Sequence, residues 1–157
     1  MDKIDELIEQ LKSPYVMYRT RAAKALGDKK DPRAIPHLIA ALKDENYLVR
    51  DNASFALGLL KAEEAVLELC KLLKDPHPWV RKSAAKALGL IGDKRAIDSL
   101  VEALKDEENM VRKSVVRSLG QINDPSVIPY IEKMLEDSSA LVKDMAKQSL
   151  KKLKSEN

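Results

Sequence analysis

Asp44, Asp75, Asp106 and Asp137 each stand six residues before a cation, namely Arg50, Arg81, Arg112 and Lys143. A carboxylate beside a guanidinium is a pairing that acid–base chemistry can use. Here it returns at a fixed step of 31 residues, whereas a reaction centre is needed once. The recurrence points instead to a ladder of ion pairs tying successive turns together. The copy containing Arg19 has Ser13-Pro14 where the aspartate would stand, so its link is expected to be the weakest. His37 and His77 lack a second His, Cys or carboxylate at ligand spacing, which argues against a metal. Cys70 takes the place held by Ile39 and Val101, the signature of a buried, inert thiol. No Gly-rich phosphate loop, nucleophile elbow or HExxH motif occurs. These residues lead to the expectation of a non-catalytic protein without a cofactor or metal.

Composition narrows the class. The chain has 157 residues, 45% apolar and 34% charged, values of a foldable domain rather than a disordered tail. No apolar run reaches the roughly 18 residues of a membrane span. The opening MDKIDELIEQL is acidic and helix-patterned, unlike a secretory signal. One cysteine permits no internal disulfide and fits a reducing, cytoplasmic setting.

The elements that must position these residues follow from the repeat. Leu11, Leu42, Leu73, Leu104 and Leu135 are spaced by 31 residues, as are Leu26, Leu57, Leu88, Leu119 and Leu150. Gly27, Gly58, Gly89 and Gly120 keep the same step. A fixed period of this length means stacked supersecondary units. Each unit divides into two helices with apolar residues at helical spacing. The expected pairs are 2–12 with 16–28, 32–43 with 47–60, 63–74 with 78–91, 94–105 with 109–122, and 125–136 with 140–154. The whole chain, 1–157, is read as one domain of five repeats, at about 1–30, 31–61, 62–92, 93–123 and 124–157. Pro32 and Pro78 suit first helical positions. Gly92 and Asn123 suit left-handed helix ends, where Lys30 and Lys61 leave the turn less well specified. Gly58 and its equivalents lie inside helices at a cost of about 1 kcal/mol relative to Ala, which suggests close approach of a neighbouring backbone. Ala23, Ser54, Ala85 and Val116 should face the next unit. Lys147, at the same register, reads as a polar end suited to a monomer.

The unit best preserved as DPHPWVRKSAAKALGLIGDKRAIDSLVEALKD closely resembles the short HEAT-like repeat of phycobilisome lyases. The resemblance covers the whole chain. It implies an all-α fold, a right-handed α-solenoid of five 31-residue helix-turn-helix repeats, with first helices outside and second helices on the concave side. It implies no reaction. Similar repeats build a di-iron hydroxylase acting on deoxyhypusine, but its His-Glu pairs are absent here.

Around each second helix, the positions of 48, 51, 52, 55 and 59 point away from the core and, by the resemblance, onto the concave surface. The register of 48 reads Met17, Leu48, Trp79, Met110 and Leu141, where polar residues are usual in the family. Tyr47, Phe55, Leu59 and Leu90 enlarge the apolar patch. Met17 and Leu141 are expected to be covered by neighbouring units, and Trp79 with Phe55 to be open. Over the second helices, basic residues exceed acidic ones by 12, and the rest of the chain carries −9, leaving +3. Lys82, Lys86, Lys113 and Arg117 border the patch. The candidate binding residues are therefore Tyr47, Leu48, Phe55, Leu59, Trp79, Lys82, Lys86, Leu90, Met110, Lys113 and Arg117. The expected partner is a protein or peptide carrying acidic and apolar residues. Nucleic acid bound by the basic strip is the second reading, with Asp51 and Asp144 standing against it. A chromophore-lyase subunit is the third.

Overall fold

The computed structural model describes residues 1–156; Asn157, the last residue of the fifth expected repeat, lies outside them. The described residues form an all-helical α-solenoid. Its α-helices are α1 (Lys3–Gln10), α2 (Val16–Lys29), α3 (Ile35–Ala41), α4 (Tyr47–Leu59), α5 (Val66–Leu72), α6 (Pro78–Ile91), α7 (Ile97–Ala103), α8 (Asn109–Ile122), α9 (Ile128–Lys133) and α10 (Ala140–Glu156). The even-numbered helices match the expected second helices within two residues. The others are shorter than expected. From α3 onward, each is preceded by a single 3-10 turn, such as Pro32–Ala34 before α3. Proline is not the cause, because α5 and α7 have the same break with Leu67 and Asp98 at the register of Pro36. The tight opening turn is the common feature, and Asp31, Asp93 and Asp124 cap it by accepting from a backbone N–H two residues on.

The periodic apolar residues make a continuous core. Leu26, Leu57, Leu88 and Leu119 are fully buried, as are Leu38, Leu69, Leu100 and Ile131 from the shorter helices. Each such side chain contributes roughly 1.5–3 kcal/mol by leaving water. Neighbouring even-numbered helices pack directly on one another, while neighbouring odd-numbered helices make much less mutual contact. The more tightly spaced layer lies inside the curve, so the even-numbered helices form the inner face.

The glycines explain that spacing. A Cβ on Gly58 would stand 2.7 Å from Ala87 Cα, and one on Gly27 would stand 2.8 Å from Ala56 Cα. Ala23, Ser54, Ala85 and Val116 are fully buried, and Lys147 is exposed. Helix ends at Lys30, Lys61, Gly92 and Asn123 all adopt positive φ, so two lysines hold a conformation that suits glycine better.

The ion-pair ladder is present, and its direction corrects one expectation. Arg19, Arg50, Arg81 and Arg112 each reach forward 25 residues, to Asp44, Asp75, Asp106 and Asp137. The Arg19 link is therefore intact, with Nε donating to Asp44 Oδ2 at 2.8 Å and Nη1 donating to the Ser13 carbonyl at 2.9 Å. An aspartate in place of Ser13 would serve a preceding unit, not this one. No helix of the described residues is long and apolar enough to cross a membrane.

Candidate binding surface on the inner face

The second residue of each even-numbered helix carries the apolar row. Helical geometry repeats the position, and the capping residues fix the backbone beneath it. In α4, Asn46 Oδ1 accepts from Leu48 N at 2.9 Å; in α6, His77 Nδ1 accepts from Trp79 N at 3.3 Å. Each ladder aspartate also accepts from the backbone two residues on, as Asp75 Oδ1 does from His77 N at 2.9 Å. The turn that presents Trp79 is thus held from both sides.

Exposure settles which of these side chains are available. Trp79 is 49% exposed, Leu48 40% and Phe55 36%, while Met110 is half-buried. Met17 is 53% exposed and Leu141 57%, contrary to the expectation that neighbouring units cover them. The reason is geometric: this register points off the stack, so an adjacent helix shields only its flank. Leu59 and Leu90 are half-buried for the opposite reason. Their Cδ1 atoms lie across Gly27 and Gly58 of the preceding unit, 3.5 and 3.2 Å from where a Cβ would stand. They fill the junction and border the row. Tyr47 is also half-buried, its ring stacked on His77 at 3.7 Å between centroids and 7° between planes. Sequence reasoning assigned Tyr47 and His77 separately; their one-unit offset and planar rings were the signal of a contact.

The four bordering cations are brought together. Lys82 Nζ lies 4.9 Å from the Trp79 ring centroid, and Lys86 Nζ lies 4.9 Å from that of Phe55. Such contacts stabilise by about 0.5–1 kcal/mol at exposed sites and hold the rings under the charges. Lys82, Lys86, Lys113 and Arg117 line a small cavity of about 220 Å³ between α6, α8 and α10, with Asn109, Met110, Ser114 and Leu141. Asn109, Ser114 and Leu141 were not among the sequence-selected residues. Asp51 is occupied by accepting from Ser83 Oγ.

The potential reactive groups are elsewhere. Burial raises the pKa of the half-buried Cys70 thiol, opposing its thiolate form. It borders an open groove of about 910 Å³ between α5, α7 and their following turns. There the charges are already paired, Arg81 with Asp106 at 2.7 Å and Lys74 with Glu102 at 3.3 Å. No cluster of three His, Cys, Asp or Glu suited to a metal occurs among the described residues.

A family model described as HEAT repeats matches residues 4–69, 36–114 and 66–151. The chain belongs to the HEAT-repeat family. Among solved structures, this HEAT-repeat chain is similar to one in the complex of CpcE and CpcF of phycocyanin lyase from Nostoc sp. PCC7120, at 29% identity and a TM-score of 0.89. That match covers 99% of this chain and 66% of the other, so the HEAT-repeat chain spans about two thirds of that relative's length. An engineered protein matches at 23% identity and a TM-score of 0.69, over 97% of this chain and 79% of that one. Computationally designed armadillo repeat proteins for modular peptide recognition match at 22% and 0.68, over 96% and 82%. The last two are alike in fold alone. No match was found among curated protein sequences.

Proposed function

We propose that the chain is a non-catalytic scaffold that binds a protein or peptide along the inner face of its even-numbered helices. The observation that carries this reading is the row of exposed apolar side chains at one register, Met17, Leu48, Trp79 and Leu141. Large apolar groups repeated on an open face offer a partner area to bury. Trp79 and Phe55 are the anchors, each with a lysine over its ring. The basic border selects a partner with acidic as well as apolar residues.

Affinity capture with wild type and Trp79→Ala, followed by titration of the captured partner, tests the reading. A hot-spot tryptophan costs about 2 kcal/mol or more on truncation. Equal affinity of the two proteins would reject it.

Similarity to a phycocyanin-lyase chain supports a second reading, a subunit of a chromophore lyase. Chromophore transfer with a bilin and an acceptor subunit tests it directly. Absence of transfer would leave the scaffold reading.

A further inference from the structure

We propose that the cavity between α6, α8 and α10 receives a phosphorylated side chain of the bound peptide; this rests on the peptide-binding reading above. Lys82 and Lys113 occupy one register in consecutive even-numbered helices, and Lys86 and Arg117 occupy another. The result is a two-by-two array of cations lining a single cavity of about 220 Å³. None of the four makes an ion pair with a carboxylate among the described residues. The nearest acids on this register are already used or set aside. Asp51 accepts from Ser83 Oγ, and Asp144, on α10, is exposed and unpaired with any of the four.

Four like charges around one cavity repel unless an anion sits among them. A carboxylate supplies one negative charge and would leave most of the array unbalanced. A phosphomonoester supplies about −1.5 to −2 charges and three acceptor oxygens. It can accept from several of the lysines and from Arg117, whose planar fork suits phosphate. Ser114 and Asn109 add neutral donors to the same walls. Met110 and Leu141 make the remaining wall apolar, which places the anion beside the row that receives the peptide's apolar residue. The cavity centres about one helix spacing from Trp79, roughly 8–10 Å. An extended peptide covers that distance in about three residues. The ligand is therefore an extended peptide with a bulky apolar residue about three positions from a phosphoserine or phosphothreonine.

The test uses the full chain and fluorescent degenerate peptide libraries. Each library fixes a leucine three positions before or after a central phosphoserine, glutamate or serine. A single-stranded oligonucleotide and free O-phosphoserine are titrated in parallel at fixed ionic strength. The phosphoserine library is expected to bind at least about tenfold tighter than the serine library, as charge-assisted hydrogen bonds of this strength imply. Lys113→Glu with Arg117→Glu should erase that preference. The milder pair Lys113→Gln with Arg117→Gln should reduce it, with folding checked by circular dichroism. Trp79→Ala should weaken both libraries alike. Equal binding of the phosphoserine and serine libraries, with Trp79→Ala weakening both, overturns the phosphate site but leaves peptide binding standing. Binding of no library overturns both. Oligonucleotide binding that exceeds every library and is lost in the double-glutamate variant replaces the peptide with nucleic acid.

Discussion

Arg81 ties two turns 25 residues apart, its Nε donating to Asp106 Oδ2 at 2.7 Å and its Nη2 to Asp106 Oδ1 at 3.1 Å. The third nitrogen of the same guanidinium donates to the carbonyls of Asp75 and Pro76, in the turn that opens its own helix. One side chain therefore satisfies two turns, and both partners are nearly shielded from water. Pairing with Asp106 raises the Arg81 pKa, so its charge is fixed across any working pH. Asp106→Ala leaves that guanidinium without its carboxylate. A loss of about 3 kcal/mol is expected from urea unfolding, in line with broken buried pairs. Arg81→Lys should also destabilise, because an ammonium cannot make the two-point contact.

Gly58 sits within a helix, where alanine would ordinarily stabilise by about 1 kcal/mol. Here Gly58→Ala is expected to destabilise. Its Cβ would meet the Ala87 backbone at 2.7 Å, and backbone does not yield as the tip of a flexible side chain does. Thermal unfolding should place Gly58→Ala below wild type; an increase in Tm would show that the stack can widen at no cost.

The periodic leucines made the even-numbered helices legible to within two residues, because an apolar stripe at helical spacing is a local signal. The inner-face row was legible for the same reason. What sequence could not convey was direction. Ser13 looked like a missing half of the Arg19 link, but the ladder runs forward, so Arg19 uses Asp44. Met17 and Leu141 looked coverable, although their register points beyond the reach of the neighbouring helix. The 3-10 turns before the odd-numbered helices also escaped notice, since α-helix and 3-10 turn share the same first-turn residues. Tyr47 and His77 required knowledge of how far apart successive units lie.

Lys30 and Lys61 hold φ of 53° and 50°, at helix ends where Gly92 has 75°. A left-handed residue bearing a Cβ is disfavoured by about 1–2 kcal/mol. Part of that gain is offset by the extra freedom of glycine in the unfolded chain. Lys61→Gly is expected to stabilise by about 0.5–1 kcal/mol. Denaturant unfolding of the single variants and of Lys30→Gly with Lys61→Gly checks this. Additive increases are expected, since the two turns belong to separate junctions.

Asp137 gives the ladder a pH signature. The hydrogen bond from Arg112 holds its carboxyl pKa below the ordinary 3.8, with Ser139 N–H adding to the effect against burial. A folded-state pKa below the unfolded one means a contribution fully present above about pH 3.8. It fades as pH falls toward the depressed folded value. The stability gap between wild type and Asp137→Asn should therefore be constant near neutrality and shrink on acidification below pH 3.8. Urea unfolding at pH 7, 4 and 3 measures it. A gap unchanged at pH 3 would mean the carboxylate charge contributes nothing to the link.

Trp79 is the chain's one tryptophan, so its fluorescence reports the inner face without interference. Its ring is half open to water, and Lys82 Nζ lies 4.9 Å from its centroid. Lys86, Lys113 and Arg117 add positive charge nearby. A local positive potential enriches anions and depletes cations within about 10 Å at 0.1 M salt. Iodide should therefore quench Trp79 more efficiently than caesium at equal ionic strength, and neutral acrylamide should quench both wild type and variants. Lys82→Gln should narrow the iodide–caesium difference, and 1 M salt should nearly abolish it, because the screening length falls to about 3 Å. Bound peptide should shield the ring from all three quenchers. Resistance of the free chain to acrylamide would mean that the ring is packed away, and the apolar row would lose its central anchor.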